Sequence, residues 1–151
     1  MDQMTNPMEK LHGYYFEDLE IGMYDIFAKT ITDADIVTFA GISGDTNPVH
    51  LNEEFAGNTM FKGCIAHGIL TASFISTVIG TKLPGPGCIY VSQNLRFKAP
   101  VKAGQTVNAI CTVEKLIPGK CFIELKTVCT VDGKVVVDGE ATIMVPSREK
   151  S

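Results

Sequence analysis

The chain has 151 residues, with 13 Lys and Arg against 17 Asp and Glu, which gives a net charge of −4 at pH 7. This length predicts one domain over residues 1–151, with a core large enough to need no disulfide or metal for stability. The acidic balance excludes a broad nucleic-acid interface, because such interfaces rely on a basic surface. No apolar stretch is long enough to span a bilayer, so we expect no membrane partner.

The first half of the chain predicts an arm, a strand, a helix and a loop. Residues 1–13 are expected to form a loosely held arm, and residues 23–31 a first strand. Thr32 predicts a helix start, because its hydroxyl is a good N-cap and carboxylates follow in the first turn. A loop is predicted over residues 43–48, because Pro48 disfavours helical geometry at the residue before it.

The second half predicts one helix followed by long strands. Residues 69–79 form a helix that is apolar on most sides, and Gly80 with the Pro-Gly-Pro-Gly run at 84–87 is expected to end it. Strands rich in β-branched residues are predicted over residues 89–97, 106–117, 121–131 and 135–145. Because no helices join these strands, they should be antiparallel. The prediction is an α+β fold in which a curved antiparallel sheet wraps around a central apolar helix.

Five cysteines indicate the compartment and bear on metal binding. The count is odd and includes no C-x-x-C pair, so we expect reduced thiols and a cytoplasmic protein. A mitochondrial matrix location agrees with the sequence equally well. Cys64 and His67 are only two candidate ligands, fewer than a closed zinc site requires, so no metal is expected.

The loop over residues 43–48 is the first candidate for chemistry. Asp45 and His50 lie five residues apart in a segment bent by Gly44 and Pro48, so both side chains can point at one water as an acid–base pair. The alternative is structural: Asp45 caps a turn and His50 satisfies a backbone carbonyl. The residues alone leave both interpretations open.

The second candidate is the pair His67-Gly68 before the apolar helix. Backbone N–H groups at a helix N-terminus carry partial positive charge, and Gly68 has no side chain to block a carbonyl oxygen. Its N–H is therefore a candidate oxyanion donor. The alternative is an ordinary glycine at a helix start, with His67 as a cap or a packed core residue.

Residues 39–56, FAGISGDTNPVHLNEEFA, resemble the signature of the R-specific enoyl-CoA hydratases, the MaoC-like dehydratases of the hot-dog fold. The similarity includes the G-D-x-N-P-V-H core, the His-Gly pair before the central helix and the segment LRFKAPV at 95–101. It extends over residues 23–145, nearly the whole chain. The resemblance implies a single hot-dog domain.

The resemblance also implies an activity and a set of site residues. Asp45 and His50 would activate a water, and the Gly68 N–H would receive the thioester carbonyl. Substrate or water positioning would fall to Asn47, His67 and Ser76. The reaction would be reversible syn addition of water to trans-2-enoyl-CoA, giving (R)-3-hydroxyacyl-CoA. It needs no cofactor, because the coenzyme A thioester, or the same thioester on acyl carrier protein, is the substrate.

Partners and competing functions complete the prediction. Contacts to the CoA phosphates are predicted for Lys62, Arg96, Lys98 and Lys102. The family pairs two hot-dog units, so we expect a homodimer or a dimer-based oligomer. Two alternatives stay open: a hot-dog acyl-CoA thioesterase, and a non-catalytic acyl-CoA-binding module.

Overall fold

The computed structural model describes residues 6–149, which form one sheet, four α-helices and two short 3-10 helices. The elements in chain order are the 3-10 helices Pro7–Leu11 and Phe16–Asp18, β1 (Tyr24–Thr30), α1 (Asp33–Ser43), α2 (Pro48–Leu51), α3 (Glu53–Gly57), α4 (Gly68–Thr81), β2 (Ile89–Gln93), β3 (Arg96–Phe97), β4 (Thr106–Ile117), β5 (Phe122–Val131) and β6 (Lys134–Met144).

The six strands form one antiparallel sheet in the order β1-β4-β5-β6-β2, with β3 also paired to β6. Helix α4 packs against β1, β4, β5 and β6. Half of its residues are buried: Leu70, Thr71, Ala72, Phe74, Ile75, Val78 and Ile79. The predicted α+β architecture, a sheet around one apolar helix, is therefore confirmed. Among the described residues, no helix is both long and apolar enough to cross a bilayer.

Two predicted boundaries were wrong. The strand expected over residues 89–97 is divided into β2 and β3, which pair with β6 in the same register on both sides of the break, and a register shift lies within β2 between Tyr90 and Ser92. After this shift, Asn94 lies so close to Gly139 on β6 that a Cβ there would collide with it. The helix expected to end at Gly80 continues through that residue to Thr81.

The predicted arm at residues 1–13 is described only from residue 6 onward, and residues 1–5 lie outside the described part of the chain. The arm's last residues are hydrogen-bonded to the turn that follows α4. Gly13 N–H donates to the Pro86 carbonyl at 2.8 Å, and Tyr14 N–H donates to the Pro84 carbonyl at 2.8 Å. Gly13, the last residue of the predicted arm, is thus hydrogen-bonded to this turn, and the looseness of the rest of the arm stays a prediction.

The core cysteines lie where the sheet meets α4. All five cysteines are free, and Cys111 and Cys129 are fully buried. The Cys129 thiol donates to the Thr71 carbonyl, with sulfur and oxygen 3.7 Å apart. Burial raises the pKa of both thiols to about 12. They therefore stay protonated at neutral pH.

Iodoacetamide at pH 8 is expected to leave Cys111 and Cys129 unmodified in the native protein, because the thiolate is the nucleophile and both thiols are buried. In urea the same residues should react at the rate of a free thiol. Peptide mass spectrometry after timed labelling measures both rates. Equal rates in the native and unfolded chain would contradict the assignment.

Candidate active site

The turn that leads into the candidate site follows from the capping of α1. Thr32 Oγ accepts from Asp35 N–H at 3.1 Å, and the Asp35 carboxylate accepts from Thr32 N–H at 2.9 Å, which is the predicted helix start. The helix ends at Gly44, whose φ of 79° is left-handed and suits a residue without a side chain. This turn directs the chain away from the α1 axis at Asp45.

Short hydrogen bonds hold the loop from Asp45 to His50. Asp45 N–H donates to Ser43 Oγ at 3.1 Å, and the Asp45 carboxylate accepts from Asn47 N–H at 3.3 Å. Asn47 Oδ1 accepts from Val49 N–H at 3.0 Å and so caps α2. Asp45 therefore caps this turn, as the structural alternative predicts. This cap uses only one of the two oxygens of the carboxylate.

His50 is oriented by a backbone carbonyl. Its Nδ1 lies 2.8 Å from the Ile65 carbonyl oxygen, which only accepts, so Nδ1 carries the proton. Nε2 then keeps its lone pair in the neutral ring and is available as a base. The hydrogen bond to a carbonyl, offered above as the structural alternative, therefore prepares the ring for acid–base chemistry.

The structure brings the two predicted catalytic side chains together. A carboxylate oxygen of Asp45, a ring nitrogen of His50 and a ring nitrogen of His67 all lie within 4.8 Å of one another. Two groups at that separation can bind the same water, since each hydrogen bond to it spans about 2.8 Å. A carboxylate and an imidazole on one water form an acid–base pair.

The same cluster offers few ligand atoms to a metal ion. One nitrogen of His50 is bonded to the Ile65 carbonyl, and one nitrogen of His67 is bonded to the Asp45 carbonyl. The other nitrogen of His67, Nδ1, is buried and has no hydrogen-bond partner among the described residues. Asp45, His50 and His67 could thus offer a metal ion at most one ligand atom each, the number that a catalytic zinc site takes from the protein, and the expectation of no metal stays a prediction.

Gly68 is the first residue of α4. Among the hydrogen bonds of residues 6–149, none uses its N–H. The Phe97 ring from β3 lies across the glycine, and a Cβ there would fall 2.6 Å from the ring. The absence of a side chain therefore lets β3 approach the start of the helix. The free N–H, at the positive end of the helix dipole, is a hydrogen-bond donor for a carbonyl oxygen.

A cavity of about 470 Å³ opens in front of this helix start. Its walls come from several residues between 60 and 71, from residues 97–101 and from Val137. Ala66 and Gly68, which flank His67, both line it. The lining is mostly apolar, as in sites that bind small ligands, and it includes Ile65, whose carbonyl bonds to His50, but neither Asp45 nor His50 itself.

Three of the four predicted CoA-binding side chains lie at or beside this cavity. Lys98 lines it, and Lys62 follows the lining residue Phe61. Lys102 Nζ donates to the Phe61 carbonyl at 2.7 Å. Lys98 and Lys102 therefore bring positive charge to this cavity.

The fourth predicted residue, Arg96, belongs to a surface ion-pair group. Arg96 Nε and Lys98 Nζ lie 2.9 and 3.2 Å from the two carboxylate oxygens of Asp138. The hydrogen bond from Arg96 holds the pKa of Asp138 below its usual value, and Lys98 adds to this effect. Asp138 thus offsets part of the positive charge of both residues.

The remaining predicted residues differ in placement. His67 is 2% exposed and donates from Nε2 to the Asp45 backbone carbonyl at 2.9 Å. Ser76 lies on the exposed side of α4, eight residues from Gly68 and thus about 12 Å along the helix at 1.5 Å per residue. The structure brings His67 into the site and does not bring Ser76 into it.

Sequence reasoning missed the Ile65 carbonyl and the Phe97 ring as parts of the site. A backbone carbonyl has no residue-type signal, and Phe97 lies next to Gly68 only through strand pairing. Cys64 is also nearby. Burial and the neighbouring Glu53 carboxylate raise its pKa, which opposes a role as a thiolate nucleophile.

Known proteins are similar to this sequence over most of its length. The family model "MaoC like domain" matches residues 23–135. An (R)-specific enoyl-CoA hydratase from Rhodospirillum rubrum is 58% identical over 135 residues, which cover 89% of this chain and 94% of that protein. A 3-hydroxybutyryl-CoA dehydratase from Methylorubrum extorquens is 48% identical over 144 residues, which cover 95% of this chain and 92% of that protein.

Solved structures agree with these matches. An R-hydratase from Pseudomonas aeruginosa has a TM-score of 0.85 at 42% identity and covers 90% of this chain and 88% of its own. The (R)-hydratase from Aeromonas caviae has a TM-score of 0.84 at 39% identity, and the match covers 86% of this chain and 99% of that one. The matched region includes the Asp45–His50 loop and the start of α4. The chain therefore has the hot-dog fold and belongs to the MaoC-like dehydratase family.

Proposed function

We propose that this protein is an R-specific enoyl-CoA hydratase, a hydro-lyase that reversibly adds water to trans-2-enoyl-CoA and gives (R)-3-hydroxyacyl-CoA. The observation that carries the proposal is the convergence of Asp45 and His50 within 4.8 Å of each other, near the free N–H of Gly68. The proposal is supported by the cavity, because Gly68 and the Ile65 residue that bonds to His50 both line it, so an acid–base pair and an oxyanion donor could act on one substrate.

Asp45, His50 and Gly68 have different roles in the proposed hydration. The Asp45 carboxylate and His50 Nε2 hold one water, and a proton leaves this water as its oxygen bonds to C3. The thioester carbonyl oxygen accepts from Gly68 N–H, which stabilises the enolate that forms. The same acid–base pair returns a proton to C2 on the same face, so the addition is syn. No cofactor takes part in these steps.

Hydration of crotonyl-CoA tests the proposal. The enoyl absorbance should fall without release of free thiol, and the product should be the R isomer. Dialysis against EDTA should leave the rate unchanged. Thiol release from saturated acyl-CoA would indicate a thioesterase, and binding without turnover would indicate a non-catalytic module. Either result would contradict the proposal.

We propose that Lys98 and Lys102 bind the phosphates of coenzyme A at the cavity opening, with Lys62 and Arg96 contributing less directly. Lys98→Gln and Lys102→Gln should each raise KM for crotonyl-CoA about two- to fivefold, because exposed charge pairs contribute only about 0.2–1 kcal/mol. KM for the N-acetylcysteamine thioester, which lacks phosphates, should not change. The matched control is Lys126→Gln on β5. An unchanged KM ratio in both cavity variants would contradict the proposal.

We propose further that two copies associate through β2. Its residues Ile89, Tyr90 and Val91 are all exposed, and among the described residues no side chain bonds to the β2 backbone. The opposite edge of the sheet is covered at Ile26. There the Asp25 carboxylate accepts from the N–H, and Lys82 Nζ donates to the carbonyl, both at 2.8 Å. An open apolar edge favours strand pairing, and side chains on an edge oppose it.

Light scattering at micromolar concentration should give the mass of two chains. Val91→Lys should give one chain, because it places a charge on the open edge. Tyr24→Lys, an equivalent change on β1, should leave the dimer intact. A monomeric parent protein, or a dimer lost through Tyr24→Lys alone, would contradict association through β2.

The carrier, the chain length and the compartment are also proposals. The cavity of about 470 Å³ supports short to medium acyl chains on coenzyme A, or on acyl carrier protein. The five free cysteines support a reducing compartment, the cytoplasm. Ser76 stays a prediction for the acyl end of the substrate. Hydration rates for thioesters from crotonyl to dodecenoyl should fall with chain length.

A further inference from the structure

His67 occupies the N-cap position of α4, but its side chain does not cap the helix. The ring is 2% exposed and reaches back to the catalytic loop, where Nε2 lies 2.9 Å from the Asp45 backbone carbonyl. Since the carbonyl only accepts, Nε2 carries the proton. This bond joins the helix that carries Gly68 to the loop that carries the carboxylate, 22 residues away in the sequence.

The same ring packs against the second catalytic side chain. The centroids of the His67 and His50 rings are 3.8 Å apart, with 26° between their planes. The Phe39 ring of α1 also contacts His67, at 4.8 Å between centroids. The Ile65 carbonyl fixes one nitrogen of His50, and the flat surface of His67 restricts rotation about that bond. Nε2 of His50 is thereby held at one position.

The second nitrogen of His67 argues against a purely structural role. Among the described residues, His67 Nδ1 is the buried side-chain nitrogen or oxygen that has no hydrogen-bond partner. An unpaired buried polar atom lowers stability, and an apolar side chain of similar size would avoid this cost. The imidazole is therefore a poor choice for packing alone. Its Nε2–H and its flat ring are the features that the site uses.

We infer that His67 is a positioning residue of the hydration reaction. It fixes the Asp45 backbone through its hydrogen bond and the His50 ring through stacking, and it acts on the reaction through these two residues. The inference rests on the proposed function, because His67 acts only through these two residues. This role differs from that of the residues that bind substrate.

Two variants separate the hydrogen bond from the stacking. His67→Phe keeps a flat ring and removes the donor, whereas His67→Gln keeps an N–H at a similar reach and removes the ring. For crotonyl-CoA hydration, His67→Phe should lower kcat roughly 10- to 100-fold, because small misplacement of reacting groups has effects of this size. KM should stay within about twofold. The kcat of His67→Gln should be at least about fivefold higher than that of His67→Phe.

The measurements are kcat, KM and the thermal unfolding midpoint of each variant, with Asp45→Asn measured in parallel. If His67→Phe does not fold, His67→Leu takes its place. A donor-free variant with the parent kcat, or a Gln variant no better than it, would overturn the inference. An increase in KM without a decrease in kcat would also overturn the inference. Failure of the proposed function is distinguishable, because Asp45→Asn would then hydrate at the parent rate.

Discussion

Replacing Asp45 by Asn is expected to lower kcat for crotonyl-CoA hydration by on the order of 10²–10⁴, the usual contribution of an acid–base group. The amide keeps an oxygen that accepts from Asn47 N–H, so the loop should retain its shape. His50→Asn should have an effect of similar size. Its side-chain N–H can still donate to the Ile65 carbonyl, but the variant has no Nε2 base.

The control for this pair is Glu114→Gln, which removes an exposed carboxylate on β4. It should leave kcat unchanged. The unfolding midpoints of the Asp45 and His50 variants should stay close to that of the parent. If both variants are folded and hydrate at the parent rate, the acid–base assignment is wrong.

The Gly68 N–H should account for a factor of roughly 10²–10³ in kcat, the usual contribution of one oxyanion donor. Gly68 is the first helical residue, and proline is tolerated there because the N–H has no partner within the helix. His67 has an extended backbone, with φ −60° and ψ 134°, which a following proline permits. Gly68→Pro therefore removes the donor and keeps the helix.

The experiment needs a matched background, because any Cβ at Gly68 would collide with the Phe97 ring. In the Phe97→Ala background, Gly68→Ala adds the Cβ and keeps the N–H, whereas Gly68→Pro adds the Cβ and removes it. The ratio of the two kcat values isolates the donor. Equal kcat values in these two double variants would show that the N–H does not stabilise the transition state.

The sequence predicted those features that depend on local residue patterns. The helix start at Thr32, the turn at Gly44 and the strand β4 all follow from neighbours in the chain. The Asp45–His50 pair was found because its members lie five residues apart in a segment bent by Gly44 and Pro48. The short helices α2 and α3 were missed, although Asn47 and Asn52 begin them as ordinary N-caps.

Features that depend on distant contacts could not be predicted. The bond from His67 to Asp45 crosses 22 residues, and the ion pair between Arg96 and Asp138 crosses 42. The latter pairing reduces the positive charge that the sequence assigned to the cavity opening. The break between β2 and β3 falls where Asn94 packs closely against Gly139, a contact that is visible only once β6 is in place.

The bonds at Ile26 also limit how far association can proceed. With Asp25 and Lys82 occupying its backbone groups, β1 offers no template for another strand at that point. The proposed pairing of β2 with β2 would join two copies by a twofold axis and would use the edge of the sheet opposite β1. A third chain would then have to add at β1, where the outward backbone groups of Ile26 are already bonded. The bonds at Ile26 would therefore oppose growth beyond two copies at this point of the sheet.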